Sequence, residues 1–448
     1  MGKRNIRPAA KPQGHTWLAS ATCVVLMMLL SAVTRPAGAV ETLLGVAYEM
    51  GYSSNISRQA VEGPDEWIDT TTMSGTLRQA GSRVDADIDF GLRYLHYRKG
   101  VYDDDLLGTF AGKATVKLMP ERLSWTVQDY YDQQPINSLG AATPDNQQNV
   151  NVLWTGPDLS LRFGPAFPGA LQLRYGSLKY SASDADSDRL SADARLDYKA
   201  SPSTTYSASV QHLVVSFADD SINENFQRSD AFVSWGRKQA VWDVRAAVGG
   251  IHIARERSSA LDGLLLSGAV TRHLTPAFAV SLRITNGYSE AGRDLLAAGE
   301  AGSAVARTDF VEDTSLFYRR ELELAVAQHG MRGAFDVKVY GRDADYEVSD
   351  FDSRELGAEA QWQYQLGALN SIGLFATLSD TDFTILDRRD RDSAYGVRWA
   401  YRLSRSLSFG FEAGHYGRAS NIDAGEFDEN RVLLSVGYAR RTLHPVIN

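Results

Sequence analysis

The chain has 448 residues, with 46 Lys and Arg against 55 Asp and Glu and a formal net charge of −9. That acidic balance argues against a nucleic-acid partner, which needs clustered positive charge for phosphates. The one cysteine is Cys23, near the N-terminus, so the rest of the chain holds no disulfide, thiolate nucleophile or cysteine metal site.

The N-terminus has the parts of a secretion signal. Lys3, Arg4, Arg7 and Lys11 form a basic head, residues 17–33 an apolar run, and Ala37-Gly38-Ala39 a small-residue cleavage site before Val40. The run falls short of the ~20 residues that a membrane-spanning helix needs, so residues 1–39 are expected to be cleaved. Cys23 follows Thr22 inside the apolar run and lacks the context of a lipidated terminus. The segment carries five basic residues and no acidic one, so its removal takes the net charge from −9 to −14.

From Thr42 onward, segments of about ten residues alternate apolar and polar positions, turn and repeat. A strand puts successive side chains on opposite faces, so a period of two means that one face meets apolar surroundings and the other does not. Leu44, Val46, Tyr48, Met50 and Tyr52 open the series. Val84, Ala86, Ile88, Phe90, Leu92 and Tyr94 then oppose Asp85, Asp87, Asp89 and Arg93. Leu123, Trp125 and Val127 alternate with Ser124, Thr126 and Gln128. Leu190, Ala192, Ala194, Leu196 and Tyr198 oppose Ser191, Asp193, Arg195 and Asp197. Leu356, Ala358, Ala360, Trp362 and Tyr364 oppose Glu355, Glu359, Gln361 and Gln363. Tyr395, Val397, Trp399 and Tyr401 oppose Arg398 and Arg402, and Val432, Leu434, Val436 and Tyr438 close the series.

Connectors alternate in length. Short ones rich in Ser, Pro and Gly stand at 80–82, 119–122, 200–203, 274–277 and 403–406, and longer polar ones at 53–66, 133–148, 181–188, 218–225, 289–309 and 419–429. Short turns on one side and long loops on the other are how outer-membrane barrels are built. About twenty strands result, or as few as 16 if the weak segments 67–77 and 261–274 merge or drop out. The parity slips once. Val150, Val152 and Trp154 are even-numbered, whereas Leu159, Leu161 and Phe163 are odd, with Thr155-Gly156-Pro157-Asp158 between them. This predicts a β-bulge there.

The fold expected is therefore all-β: a transmembrane antiparallel up-and-down β-barrel of outer-membrane type, one domain over residues 40–448. Twenty Tyr, 17 Phe and 8 Trp suffice for aromatic girdles at both membrane interfaces. A mean hydropathy of −0.27 is what a barrel with a wet lumen gives, and no later run is long enough for a membrane helix. A propeller would need a motif repeat of about 40–50 residues, and a β-sandwich core does not place aromatics on so many strands. One feature departs from the usual pattern: the last aromatic, Tyr438, is followed by ten residues ending at Asn448, so either the final strand stops near Tyr438 or the assembly signal is unusual.

Three stretches carry a resemblance: ETLLGVAYEMGYSSNISR at 41–58, ATPDNQQNVNVLWTGPDLSLR at 142–162, and the turn LSRSLSFGFEAGHY at 403–416. Together they resemble the β-barrel proteins associated with PEP-CTERM/exosortase and exopolysaccharide systems, in the style of the beta-barrel porin 2 group. The resemblance implies a bacterial outer-membrane barrel linked to exopolysaccharide biogenesis or export. It supplies no catalytic residues.

Catalytic and metal motifs are absent from the sequence. The eight His include no H-x-x-x-H pair and no H-E-x-x-H, so zinc has no support. There is no G-x-S-x-G elbow and no P-loop, although a barrel enzyme assembled across distant strands stays open as a minor alternative. His96 and His415 stand near strand ends, where an interfacial role is expected. Asp184, Asp186 and Asp188 have a D-x-D-x-D spacing, but Arg189 and Arg195 occupy the positions where an EF-hand loop needs Gly and Glu. A solvated acidic loop is the expectation there and at Asp103-Asp104-Asp105, with divalent bridging to lipopolysaccharide as the alternative. No cofactor is implied.

The polar face holds the functional clue. By parity Arg93, Arg174, Arg195, Arg245, Arg283, Lys338, Arg398 and Arg402 point inward, as do Asp85, Asp87, Asp89, Asp193, Asp197, Asp243, Asp336, Glu359 and Glu412. A ring of one sign would suggest ion selectivity; mixed signs suggest a hydrated channel or a lumen cross-braced by ion pairs. The loop at 289–309, with its Ala-Gly-rich tip, is either a constriction or an external loop. The expected function is a porin-like outer-membrane channel tied to exopolysaccharide biogenesis or export. A non-conducting partner barrel of such a system is the alternative. Membrane lipid and lipopolysaccharide would surround it, with exopolysaccharide or periplasmic export proteins as further partners.

Overall fold

A computed structural model describes residues 40–221, 223–290 and 316–444 of the chain. The expected signal at 1–39 and most of the 289–309 loop lie outside the described residues. The first ten strands are β1 (Val40–Ser53), β2 (Glu66–Ala80), β3 (Val84–Tyr97), β4 (Asp105–Met119), β5 (Leu123–Gln134), β6 (Gln148–Arg162), β7 (Pro168–Tyr180), β8 (Ser187–Ser201), β9 (Thr204–Phe217) and β10 (Phe226–Lys238). The second ten are β11 (Trp242–Arg255), β12 (Leu261–Thr275), β13 (Phe278–Ser289), β14 (Phe317–His329), β15 (Gly333–Tyr346), β16 (Ser353–Gln365), β17 (Asn370–Phe383), β18 (Arg388–Arg402), β19 (Leu407–Ser420) and β20 (Phe427–His444). Both weak segments are full strands, β2 and β12.

Every strand pairs antiparallel with its sequence neighbours, and β1 pairs with β2 and with β20. The sheet thus closes into a 20-stranded up-and-down β-barrel with no free edge, the only sheet arrangement that leaves no unpaired backbone groups in lipid. Twenty strands about 4.8 Å apart and tilted by ~40° make a wall roughly 40 Å across, backbone to backbone. Short turns such as 202–203 and 276–277 lie at one end with Val40 and His444, and long loops such as 54–65 and 135–147 at the other.

The outer face carries the apolar set. Leu44, Val46, Leu92, Leu190, Leu322, Leu356, Leu374 and Leu434 are exposed, which in this setting means lipid-facing. Aromatics gather densely at the turn end: Trp362 stacks with Tyr364, Trp399 with Tyr401, and Phe167 with Tyr198. Tyr48, Tyr94, Tyr175 and Tyr395 line the outer face nearer the loops. Rings that are apolar in body and polar at the tip favour these two interfaces.

One expectation needs correction, and one of two alternatives falls. No bulge stands at 155–158. One register holds β6 to β5 from Leu123↔Leu159 to Gln134↔Gln148, and the pairs Thr155↔Tyr175 and Asp158↔Gln172 keep one offset to β7 across Gly156-Pro157. Gly156 is needed there because a Cβ would stand 2.0 Å from the Leu173 carbonyl oxygen. The apolar residues themselves change sides. Val150, Val152 and Trp154 look inward, while Leu159 and Leu161, lower on the same strand, look outward. The register shifts that do occur sit beside short turns, at Lys117/Met119, Lys199/Ser201 and His273/Thr275. The last strand does not stop at Tyr438 but runs on to His444, paired with β1 throughout.

Candidate functional site

The inner wall is the face defined by Arg78, Asp87, Thr72 and Arg93 on β2 and β3, and the register carries the same parity round all twenty strands. Contacts between distant strands fix its direction. Arg189 on β8 pairs with Glu290 beyond β13, and Arg388 on β18 reaches the loop between β5 and β6. Such partners meet only through the interior.

All eight expected cations lie on this face, and six hold ion pairs. Arg174 pairs with Asp158, Arg195 with Asp197 at 2.6 Å, Arg245 with Asp243 at 3.3 Å and Arg283 with Glu323 at 3.3 Å. Lys338 pairs with Glu359 at 2.8 Å and Arg398 with Glu412 at 2.7 Å. Arg93 and Arg402 face Thr72 and Ser408 across the ladder and have no ion pair among the described residues. Asp193 accepts from Ser191 Oγ at 3.3 Å. Near the turn end Lys117 meets Asp85 at 2.7 Å, and Arg78 bridges Asp87 and Asp89. Pairs that alternate in sign around a wet wall compensate one another, so the field inside has no single sign.

The loop-side mouth is different: its charges are buried. The side chains of Arg189 and Glu290 are 2% and 1% exposed. Arg228 Nε donates to Asp230 Oδ1 at 2.8 Å and its Nη1 to the Tyr288 carbonyl at 2.7 Å. Glu429 accepts from Ser53 Oγ at 2.6 Å, from Arg58 Nε at 2.9 Å and from Arg431 Nε at 2.5 Å. Sequence parity flagged none of these, yet Arg228/Asp230, Arg388/Asp390 and Glu429/Arg431 share a signal: opposite charges two apart, which one strand places on one face.

Beside these pairs runs an apolar arc. Tyr130, Val150, Val152, Trp154 and Leu178 form one cluster, and Val215, Phe217, Phe226, Ile251, Ile253 and Leu316 another, with Leu213 packed against both. Behind the arc the outer face turns polar. Asn151 Nδ2 donates to Asp129 at 2.8 Å, His212 Nδ1 lies 2.9 Å from Ser229 Oγ, and His252 Nδ1 lies 2.7 Å from Asp262. Charged groups in lipid cost several kcal/mol near the midplane, falling towards about 0–1 kcal/mol at the interfaces. The β5–β12 wall therefore rises past the bilayer here, and its apolar side chains pack inward.

On the opposite wall aromatic rings lie over glycines. A Cβ on Gly357 would meet Tyr340 Cζ at 2.3 Å, and one on Gly396 would meet Phe375 Cζ at 2.6 Å. Arg398 stacks 4.3 Å from the Phe375 centroid, and the Tyr340 hydroxyl donates to Glu355 at 2.8 Å. Farther round, Arg388 donates to Asp390 through Nε and Nη2 at 2.6–3.0 Å, and Asp390 also accepts from Ser420 Oγ at 2.7 Å.

The loop at 135–147 enters this site. Asn146 Nδ2 donates to the carbonyls of Asn137 and Ala141 at 2.8 and 3.0 Å, and its Oδ1 accepts from Asn137 N at 2.8 Å. So braced, the loop presents the Leu139 carbonyl to Arg388 Nη2 at 2.8 Å. The resemblance at 142–162 overlaps this loop, but nothing in the sequence marked it as one that enters the site.

The acidic loop is not gathered for a cation. Asp186 accepts from Tyr180 N at 2.8 Å and meets Lys179 Nζ at 3.2 Å, while Asp188 accepts from the Tyr175 hydroxyl at 3.0 Å. Among the described residues no group of three or more His, Cys, Asp or Glu is placed to hold a metal. His96 lies 2.9 Å from Asp104 and His415 3.1 Å from Asn430 Oδ1, both on the outer face near the loops.

No family model matches the chain, and no curated protein does. Among solved structures it is similar to Pseudomonas aeruginosa OccK2 (OpdF) in complex with glucuronate, at 11% identity and a TM-score of 0.39 over 89% of this chain and 98% of that one. Acinetobacter baumannii OccAB3 gives 10% identity and a TM-score of 0.44 over 90% and 99%. Pseudomonas aeruginosa OccK1 (OpdK) gives 12% and 0.43 over 90% and 99%. At these scores none of the three bears on the cargo of this chain.

Proposed function

We propose that this barrel is a porin-like channel of the bacterial outer membrane that passes small polar solutes by diffusion. The observation carrying the proposal is the inner wall between mouth and turn end, where cations that are mostly exposed pair at hydrogen-bond distance with anions that are mostly half-buried, around the barrel. Such a wall stays hydrated and offers a neutral hydroxylated or zwitterionic solute both donors and acceptors, with no single-sign barrier. Lipid and lipopolysaccharide are the partners of the outer face. A saccharide cargo in exopolysaccharide biogenesis or export is the finer form of the proposal and is carried by the sequence resemblance alone.

The second reading is a partner barrel of an exopolysaccharide secretion system, closed when alone. The mouth favours it: buried ion pairs and an apolar arc line the loop side. Single-channel recording of the refolded barrel in a planar bilayer separates the two. Steady conductance that scales with salt supports diffusion. A folded barrel that stays silent overturns the open channel and favours the closed partner.

A further inference from the structure

We infer that Arg388 sets the size limit of the mouth by pinning the 135–147 loop to a wall seven strands from its β5 root; the inference rests on the channel reading above. The loop springs from β5 and β6, and Arg388 opens β18, seven strands away round the barrel. Arg388 is on the inner face and buried, and its Nη2 donates to the Leu139 carbonyl at 2.8 Å. A segment joining those two walls passes over the lumen.

Both partners are stiff before they meet. The guanidinium is oriented by Asp390 at 2.6–3.0 Å and lies 5.9 Å from the Phe383 ring centroid, and Asp390 is itself held by Ser420. The loop is braced by Asn137 and Asn146. Asn137 Oδ1 accepts from Leu139 N at 3.0 Å, which fixes the peptide next to the captured carbonyl. A hydrogen bond from a charged donor is among the stronger ones available. Loss of the pin therefore frees a preformed loop to swing on its roots at Gln134 and Gln148, a local opening that leaves the barrel intact.

The test uses Arg388→Lys, which keeps a cation beside Asp390 but is shorter and lacks the planar fork whose Nη2 spans Asp390 and the Leu139 carbonyl. The full-length barrel is refolded into phosphatidylcholine vesicles, and its fold is checked by heat-dependent gel migration. The first readout is swelling with sugars of graded size. The variant is expected to admit larger sugars than wild type, and an unchanged cut-off in a folded variant overturns the inference. The second readout does not need a channel: the rate at which a membrane-impermeant maleimide labels Leu139→Cys, with Arg388 and with Arg388→Lys. Both proteins carry Cys23→Ser, which removes the one native cysteine of the chain. A several-fold faster rate in the variant supports the pin, and an equal rate overturns it. Silent vesicles with faster labelling would overturn the diffusion reading while leaving the pin standing.

Discussion

Two leucines on one strand test the division of the barrel into faces. Leu173 and Leu178 of β7 are five residues apart and so point to opposite sides. Leu173 is 44% exposed on the outer face, and Leu178 is 1% exposed inside, against Val152. Truncation to Ala removes about three methylene equivalents in either case, worth roughly 2.4 kcal/mol of transfer out of water. For Leu173→Ala that is nearly the whole loss, because lipid chains close over the gap. For Leu178→Ala the packed neighbours cannot follow, and a cavity term brings the expected loss to about 3–5 kcal/mol. Guanidinium unfolding of the vesicle-embedded barrel, followed by tryptophan fluorescence, measures both. An equal loss, or a larger one for Leu173→Ala, would mean that Leu178 meets lipid and would refute the inward assignment of Val150, Val152 and Trp154.

Three further outcomes are expected. Arg189→Leu takes an ion-pair partner from the buried Glu290 and should destabilise the barrel, by at most the roughly 3–5 kcal/mol of a broken buried pair, while Arg189→Leu with Glu290→Leu should recover part of the loss; the same unfolding assay decides. In the channel, Lys338→Gln leaves Glu359 uncompensated and should shift the reversal potential towards cations, with Glu359→Gln shifting it the other way; equal potentials for both would sink the mixed-wall account. Asp65, at the root of the 54–65 loop, is held below its ordinary value of 3.8 by the hydrogen bond from Lys99. A lowered carboxylate stabilises above the unfolded value and loses that effect as pH falls through the folded one. Acid below about pH 4 should therefore loosen this loop while neutral pH changes leave it alone, which limited proteolysis across pH would reveal.

The strand count and the two ends were legible because lipid imposes period two. Leu44 to Tyr48 and Tyr395 to Trp399 could alternate only by facing lipid, and Pro, Ser and Gly marked the short turns. The parity of Arg195, Lys338 and Arg398 placed them on the inner wall for the same reason. At Val150, Val152 and Trp154 that rule misled. It assumes that every apolar side chain of a strand seeks lipid, whereas the loop-side part of β6 stands beyond the bilayer, where an apolar residue packs inward and Asn151 takes the outside.

The sequence by itself thus determined a closed sheet with polar inside and apolar outside, since alternation is a local property that each strand displays alone. Tertiary structure decided the rest. Arg189 and Glu290 lie 101 residues apart and Leu139 and Arg388 lie 249 apart, and no local spacing encodes such partners. They meet because closure of twenty strands folds distant segments over one mouth, where burial makes a paired charge or a single charged hydrogen bond strong enough to position a loop.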